Sequence, residues 1–228
     1  MRKRSKRYEE ASKKIDRTKL YPAREALGLL KSLPAPKFDE SVDVVVRLGI
    51  DPKKTDQLVR GAVSLPKGLG KAVRVVVFAE GEKADAARKA GADEVGAEEL
   101  AKRILEGWTD FDIVIASPDM MKHVGKLGKV LGPQGKMPSP KSGTVTPEVG
   151  NAVREFKAGK VEFRTDAGGN VHAVVGKRSF SVEDLEQNLS AFLTHLSGMR
   201  PASVKGNFLR KVSVSTTMGP GTLIAYEG

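Results

Sequence analysis

The chain has 228 residues, of which 39% are hydrophobic, and this is enough to bury the core of one large domain or of two modest ones. Its 39 Lys and Arg residues exceed its 28 Asp and Glu residues by 11, which favours a polyanionic partner, such as nucleic acid or an anionic membrane surface. No apolar run reaches the ~18 residues that cross a bilayer, and the lack of cysteine excludes disulfides and thiolate metal sites, so we predict a soluble cytoplasmic protein.

The positive charge is concentrated in an N-terminal arm, residues 1–19, which is rich in Lys and Arg. No apolar segment follows its first basic run, which argues against a secretory signal, and Glu9 and Glu10 argue against a mitochondrial transit peptide. We therefore expect the arm to stay in the mature protein and to attract phosphates without reading sequence. Its candidate contacts are Arg2, Lys3, Arg4, Lys6 and Arg7.

The first 66 residues predict two helices followed by two strands. Residues 9–19 predict a basic helix, and residues 22–31 predict a second helix that Pro34 ends. The alternation of residues 41–48 predicts a strand, and residues 60–65 predict its partner strand.

The middle of the chain, residues 67–159, has a different pattern. Residues 73–79 and 111–116 predict buried strands, and residues 94–96 predict a short strand between them. Residues 82–90 and 98–105 predict amphipathic helices. Such alternation is typical of βαβ units around a parallel sheet. A loop rich in Gly, Pro and Lys, residues 125–144, ends the block.

After residue 160 the earlier pattern returns. Residues 160–164 and 169–174 predict a hairpin, Ser181 opens a helix that runs to about residue 197, and residues 208–217 predict the final strand. Because the two ends of the chain share this pattern and the middle differs, we predict an α+β domain that is discontinuous, with an α/β domain inserted. The predicted bounds are 1–66 with 160–228 for the first domain and 67–159 for the second.

A nucleotide-using enzyme is the main alternative function. The segment Gly68-Leu69-Gly70 begins like a dinucleotide fingerprint, but it precedes a predicted strand, where the fingerprint must follow one. Residues 132–137 lack P-loop spacing. The three histidines show no metal-ligand spacing: His123, His172 and His195. We therefore predict no catalytic residue, no metal site and no cofactor; a nonspecific basic chaperone or membrane-surface protein is a third alternative.

Two segments carry a specific resemblance to a known family: residues 124–145, and Ser215-Thr216-Thr217-Met218-Gly219-Pro220. They resemble the ribosomal protein L-one family, and residues 36–42, 60–66 and 157–164 match it as well. The resemblance implies a discontinuous α+β RNA-binding domain with an inserted Rossmann-like α/β domain. It also implies a large-subunit protein that binds ribosomal RNA at the mobile stalk, assists release of exit-site transfer RNA and represses translation of its own-operon messenger RNA. No membrane partner is implied, and the free protein is expected to be a monomer.

The final strand and its turn supply the first group of predicted RNA contacts. Ser215, Thr216 and Thr217 offer small hydroxyls that both donate and accept, which suits 2′-hydroxyls and base edges. Gly219 allows close approach of the backbone to RNA, and Met218 offers an apolar wedge.

Further contacts come from both predicted domains. Phe38 beside Lys37 offers a stacking face next to a cation, with a core phenylalanine as the alternative. The family resemblance adds Glu25, Ser41, Arg164, Asp166, His172 and Lys205. The loop of the inserted domain adds auxiliary contacts to RNA or transfer RNA, unless it only packs between domains: Lys126, Lys129, Lys136 and Lys141.

Overall fold

The computed structural model describes residues 4–226, so Arg2 and Lys3 of the predicted arm lie outside the described residues. The strands are β1 (Leu20–Tyr21), β2 (Ser41–Leu48), β3 (Arg60–Ser64), β4 (Val75–Phe78), β5 (Glu94–Gly96), β6 (Ile113–Ala116), β7 (Lys160–Arg164), β8 (Asn170–Lys177), β9 (Leu209–Thr216) and β10 (Thr222–Ile224). The helices are α1 (Lys6–Lys13), α2 (Ala23–Ser32), α3 (Glu82–Lys89), α4 (Glu98–Leu105), α5 (Met121–Val124), α6 (Gly128–Leu131), α7 (Val149–Ala158) and α8 (Val182–Gly198). The predicted mixture of α and β structure is confirmed. None of the helices in this range is long and apolar enough to cross a membrane.

The chain folds into two compact units. Unit 1 contains the residues up to Gly70 and those from Val161 onward, and unit 2 is Lys71–Lys160.

Unit 1 is built on a five-stranded sheet of order β1-β10-β9-β2-β8. Val42, Val44 and Val46 of β2 are buried, whereas the residues between them are partly exposed. Helices α2 and α8 pack on the buried side, where Leu30 and Phe192 belong to the same core as these valines. The sheet therefore has one apolar face under the helices and one face that is partly exposed.

Local sequence signals explain the helices of this unit. The hydroxyl of Ser181 accepts a hydrogen bond from the amide of Asp184 at 3.0 Å and so caps α8, as predicted. The predicted helix at residues 9–19 is displaced, because Ser5 caps α1 one turn earlier and the Asp16 carboxylate accepts from the amide of Thr18 at 2.8 Å. Such a side-chain turn replaces the helical hydrogen bonds that residues beyond Lys14 would need.

Three predicted strand relationships of unit 1 are wrong. Strand β3 pairs with β7 in a separate sheet, because both edges of β2 are already occupied by β8 and β9. The turn of the predicted hairpin is formed at residues 166–169, next to a bridge between Thr165 and Val171, but β7 and β8 do not pair and belong to different sheets. The strand predicted to be the last is followed by β10, whose Thr222 pairs with Val214.

Unit 2 is a three-stranded sheet of order β5-β4-β6 with helices on both faces. Its strands are parallel, as predicted, and all four residues of β4 are buried. Helix α7 was not predicted, although Val149, Val153 and Phe156 are buried at helical spacing. The predicted loop at residues 125–144 is partly helical, because Leu127 and Leu131 continue an apolar face that begins in α5.

Candidate nucleic-acid interface

The partly exposed face of the unit 1 sheet brings several predicted site residues together. Pairing places Asp43 opposite Ser215, and Val45 opposite both Ser213 and His172. We call this side of the sheet the open face; its residues are Leu20, Ser41, Asp43, Val45, Arg47, Asn170, His172, Val174, Lys211, Ser213, Ser215 and Leu223. Ser41, His172 and Ser215 were predicted from the sequence, so three predicted contacts share one surface.

The open face mixes charge, hydroxyls and apolar groups. Arg47 and Lys211 are exposed neighbours on adjacent strands, and they form a cationic end. Leu20, with 57% of its surface exposed, forms an apolar edge. Sequence reasoning missed these residues, although the strict alternation of β2 identifies which of its side chains share a face.

Thr217 extends the pairing of β9 with β2 beyond the end of β9. Its amide donates to the carbonyl of Ser41 at 3.0 Å, and its Oγ1 accepts from the amide of Ser41 at 3.0 Å. The Nζ of Lys177 donates to Oγ of Ser41 at 3.1 Å. Thr217 is exposed, and its hydroxyl already accepts a hydrogen bond within the protein.

Thr216 does not reach the surface, contrary to its predicted role. Its side chain follows Val212 and Val214 on the apolar face and is 4% exposed. A Cβ at Gly219 would come within 2.3 Å of the Thr216 Oγ1, and the Gly219 amide donates to the Thr216 carbonyl at 3.0 Å. Thr216 therefore packs beneath the turn, and glycine at 219 is required by this close approach.

Two large apolar side chains are exposed in segments beside the open face. Phe38 is 53% exposed and Met218 is 49% exposed, so the core alternative for Phe38 is excluded. Lys37 is also exposed. An exposed aromatic ring beside a cation can stack on a base, and an exposed Met can pack against a sugar or base.

The turn before β8 is organised by Asp166. Its Oδ1 accepts from the amides of Gly168 at 2.8 Å and Asn170 at 2.7 Å, and its Oδ2 lies 3.2 Å from Nε2 of His172. The hydrogen bonds from Asn170, and then the one from His172, lower the pKa of Asp166 to about 2. Asp166 therefore shapes the turn and orients His172, and the exposed Arg164 lies just before it.

The N-terminal arm contacts the Met218 turn. Arg7 donates from Nη2 to the Met218 carbonyl at 3.3 Å and from Nη1 to the Pro34 carbonyl at 3.4 Å. Arg4 instead lies over the ring of Tyr8, with its guanidinium carbon 4.9 Å from the centroid. Lys6 begins α1 and is exposed.

Glu25 and Lys205 are the remaining predicted contacts of unit 1, and neither belongs to the open face. Glu25 is in the first turn of α2, within the helix layer, and forms an exposed ion pair of 3.2 Å with Lys19. Lys205 is exposed in the segment between α8 and β9.

The predicted contacts of unit 2 divide into two kinds. Lys126, Lys129 and Lys141 are exposed and available to a polyanion. Lys136 instead donates to the carbonyls of Thr109 at 3.0 Å and Phe111 at 2.6 Å, so its ammonium group supports the fold of the unit.

Unit 2 also contains a cavity at the carboxyl ends of β4 and β6, where ligands bind in many α/β folds. Its volume is about 290 Å³, and its lining is Glu80, Glu82, Lys83, Ser117, Asp119 and Met120. Lys83 pairs with Asp119 at 2.8 Å, and this hydrogen bond holds the pKa of Asp119 below its usual value. Three carboxylates against one ammonium group disfavour the phosphates of a nucleotide.

Comparisons with known proteins agree with the resemblance. The chain matches the model of the Ribosomal protein L1p/L10e family over residues 29–220. It is 60% identical to Large ribosomal subunit protein uL1 of Bordetella pertussis, over 98% of this chain and 97% of that protein. It is 54% identical to the protein of the same name from Kosmotoga olearia, over 100% of this chain and 98% of that protein. With a family match across most of the chain and such near full-length identity, the chain belongs to the ribosomal protein L1p/L10e family.

Proposed function

We propose that the chain is a cytoplasmic component of the large ribosomal subunit, and that it binds large-subunit ribosomal RNA at the mobile stalk through unit 1. The observation that carries this proposal is the open face, where hydroxyls and cations occupy one surface next to exposed Phe38 and Met218. The near full-length identity to relatives named as large-subunit proteins supports the assignment to that subunit.

The chemistry of the surface favours structured RNA over a uniform duplex. Arg47 and Lys211 attract phosphates whatever the sequence. Ser213 and Ser215 can pair with 2′-hydroxyls, which distinguish RNA from DNA. Phe38 and Met218 require bases or sugars that are not stacked in a regular helix, and these occur in loops and bulges.

We assign the two units different tasks. Unit 1 acts as the discontinuous α+β RNA-binding domain, and unit 2 as the inserted Rossmann-like domain. The exposed Lys126, Lys129 and Lys141 of unit 2 then provide contacts to exit-site transfer RNA. Contacts that come from cations alone are weak and reversible, which suits a ligand that has to be released.

Translational repression follows from the same surface of unit 1. A messenger RNA that presents the local fold of the ribosomal site competes for the open face. The free protein, acting as a monomer, then binds its own-operon messenger only when ribosomal RNA is saturated. A single surface for both RNAs predicts mutually exclusive binding.

The decisive experiment measures binding of the purified full chain to three RNAs at two salt concentrations. They are a transcript of the stalk region of large-subunit RNA, a scrambled transcript and the leader of the operon messenger. We expect the stalk transcript to bind at least ~1,000-fold more tightly than the scrambled one, a typical ratio for specific nucleic-acid sites. The leader should compete with it. Equal affinity for stalk and scrambled transcripts would contradict the proposal.

A further inference from the structure

A buried carboxylate lies between the two segments that expose Phe38 and Met218. Glu40 follows Phe38 by two residues, and its side chain is only 1% exposed. Its Oε1 accepts a hydrogen bond from the amide of Met218 at 2.9 Å. A backbone amide of the Met218 turn is therefore held by a side chain of the Phe38 segment.

The other oxygen of Glu40 is held by Arg178, which lies just after β8. Arg178 Nη1 donates to Oε2 of Glu40 at 2.8 Å, and the Arg178 amide donates to the Glu40 carbonyl at 2.8 Å. Its Nη2 donates to the carbonyls of Lys31, at 2.9 Å, and Leu33 at the end of α2. One guanidinium thus ties Glu40 to the last turn of a core helix.

Exposed hydrogen bonds beside Glu40 hold the Phe38 segment as well. The carboxylate of Asp39 accepts from the amide of Ser179 at 3.1 Å and from its hydroxyl at 2.8 Å. Residues 38–41 are therefore anchored to residues 177–179 by several hydrogen bonds. The Met218 turn is joined to this segment by the pairing of Thr217 with Ser41 and, at Met218 itself, by the Glu40 carboxylate. The Glu40 carboxylate is the link from the anchored segment to the amide of Met218 itself, beyond the last pairing of Thr217 with Ser41.

We infer that Glu40 is a positioning residue for RNA recognition: its carboxylate fixes the Met218 turn relative to the Phe38 segment, and Arg178 orients that carboxylate. The inference rests on the proposed function, because it assumes that both segments contact RNA. Neither Glu40 nor Arg178 needs to touch RNA for this role. A binding surface whose parts are held in place before association does not have to be ordered during binding, and this increases affinity.

Two double variants separate positioning from burial of charge. Glu40→Gln with Arg178→Met removes both buried charges and keeps a side-chain oxygen that can accept from the Met218 amide. Glu40→Met with Arg178→Met has the same background and similar volume, but it has no acceptor. Melting curves of both proteins establish that each is folded at the assay temperature, so that a difference in RNA binding does not reflect unfolding.

The measured quantities are affinity for the stalk and scrambled transcripts, and deuterium exchange of the Met218 amide. We expect the Glu40→Met double variant to bind the stalk transcript about tenfold more weakly than the Glu40→Gln double variant, through faster dissociation. The scrambled transcript should bind both equally. The Met218 amide should exchange faster where the acceptor is absent.

The outcomes distinguish this inference from the proposed function. Equal binding of the stalk transcript by the two variants, together with faster exchange in one, would overturn the positioning role. Equal deuterium exchange of the Met218 amide in the two variants would show that the Glu40 carboxylate does not hold this amide. If the parent protein does not prefer the stalk transcript, the proposed function fails, and the exchange measurement still decides whether the link exists.

A third variant keeps the test decisive if the Glu40→Met double variant does not fold. In Glu40→Gln alone, the retained Arg178 attracts the amide oxygen, which turns the amide NH2 toward the Met218 N–H. Met218 should then lose its protection, and stalk binding should weaken relative to the Glu40→Gln, Arg178→Met protein. Stronger binding by the single variant would contradict the inference.

Discussion

Arg7 and Met218, 211 residues apart in the chain, are joined by a hydrogen bond of 3.3 Å from the guanidinium to the carbonyl. The bond connects the basic arm to the turn that exposes an apolar wedge. Cations of the arm therefore differ in their surroundings: Arg7 contacts the turn, whereas Lys6 is exposed at the start of α1.

This difference predicts two responses to neutralising the arm. Replacing Arg4 and Lys6 by Gln should weaken binding to stalk and scrambled RNA by similar factors. It should also reduce the salt slope, which is the slope of the logarithm of affinity against the logarithm of salt concentration, by up to roughly 1.5. Arg7→Gln should weaken stalk binding more than scrambled binding, because it also frees the Met218 turn. Titrations at several salt concentrations test both, and a uniform effect of Arg7→Gln would exclude its link to specificity.

Thr217→Val keeps β-branching but removes a hydroxyl that caps the Ser41 amide. Because the site is exposed and water can replace the cap, we expect a stability loss of only about 0.5–1.5 kcal/mol. Stalk binding should fall about ten- to a hundredfold if RNA also uses the hydroxyl. The salt slope should not change, since no charge is lost. Thr217→Ser is the control, because it keeps the hydroxyl. If the Val variant binds the stalk transcript as tightly as the parent protein does, Thr217 is not part of the RNA site.

Acid should loosen the turn held by Asp166. Because the pKa of Asp166 is lowered to about 2 in the folded protein, its ionised form contributes stability above the unfolded value near 3.8. That contribution is lost as the pH falls through the folded pKa. We expect the amide resonances of Gly168 and Asn170 to stay constant down to about pH 4.5 and to shift with a midpoint near 2. A midpoint near the unfolded value would contradict the hydrogen-bonded turn.

Asp43 should behave in the opposite way. Burial raises the pKa of this open-face carboxyl, and the nearby Lys177 and His172 oppose the shift. Stability from such a group is fully present below the unfolded pKa and is lost as the pH rises through the folded pKa. Asp43→Asn should therefore raise the melting temperature near pH 7 but not near pH 3. It should also strengthen binding to scrambled RNA; an unchanged melting temperature at neutral pH would contradict this.

Local signals in the sequence located helices α2, α3, α4 and α8 but not α7, and they did not identify strand partners. Helix α4 is found at its predicted bounds, because its apolar spacing lies within eight residues. The partner of β3 was missed, because it depends on which distant strands occupy the edges of β2. The burial of Thr216 could have been predicted from the alternation of β9, which places it with Val212 and Val214.

Other features of the candidate site could not have been predicted locally. The contacts of Glu40 with Met218 and Arg178 join residues 178 and 138 positions apart, and no spacing rule identifies them. The exposure of Phe38 has no local signal either, since phenylalanine is more often buried than exposed.

The order of strands in unit 1 has a consequence for synthesis. Strand β2 pairs with β8 and β9, and roughly 120 residues separate its end from the start of β8. At a translation rate of about 5–20 residues per second, roughly ten seconds pass between the synthesis of β2 and that of β8, the first of its two neighbours. Unit 2 is completed first, while both edges of β2 remain open to wrong pairing. A nascent chain therefore has no open face until β9 leaves the ribosome, and truncated products should neither bind RNA nor repress translation.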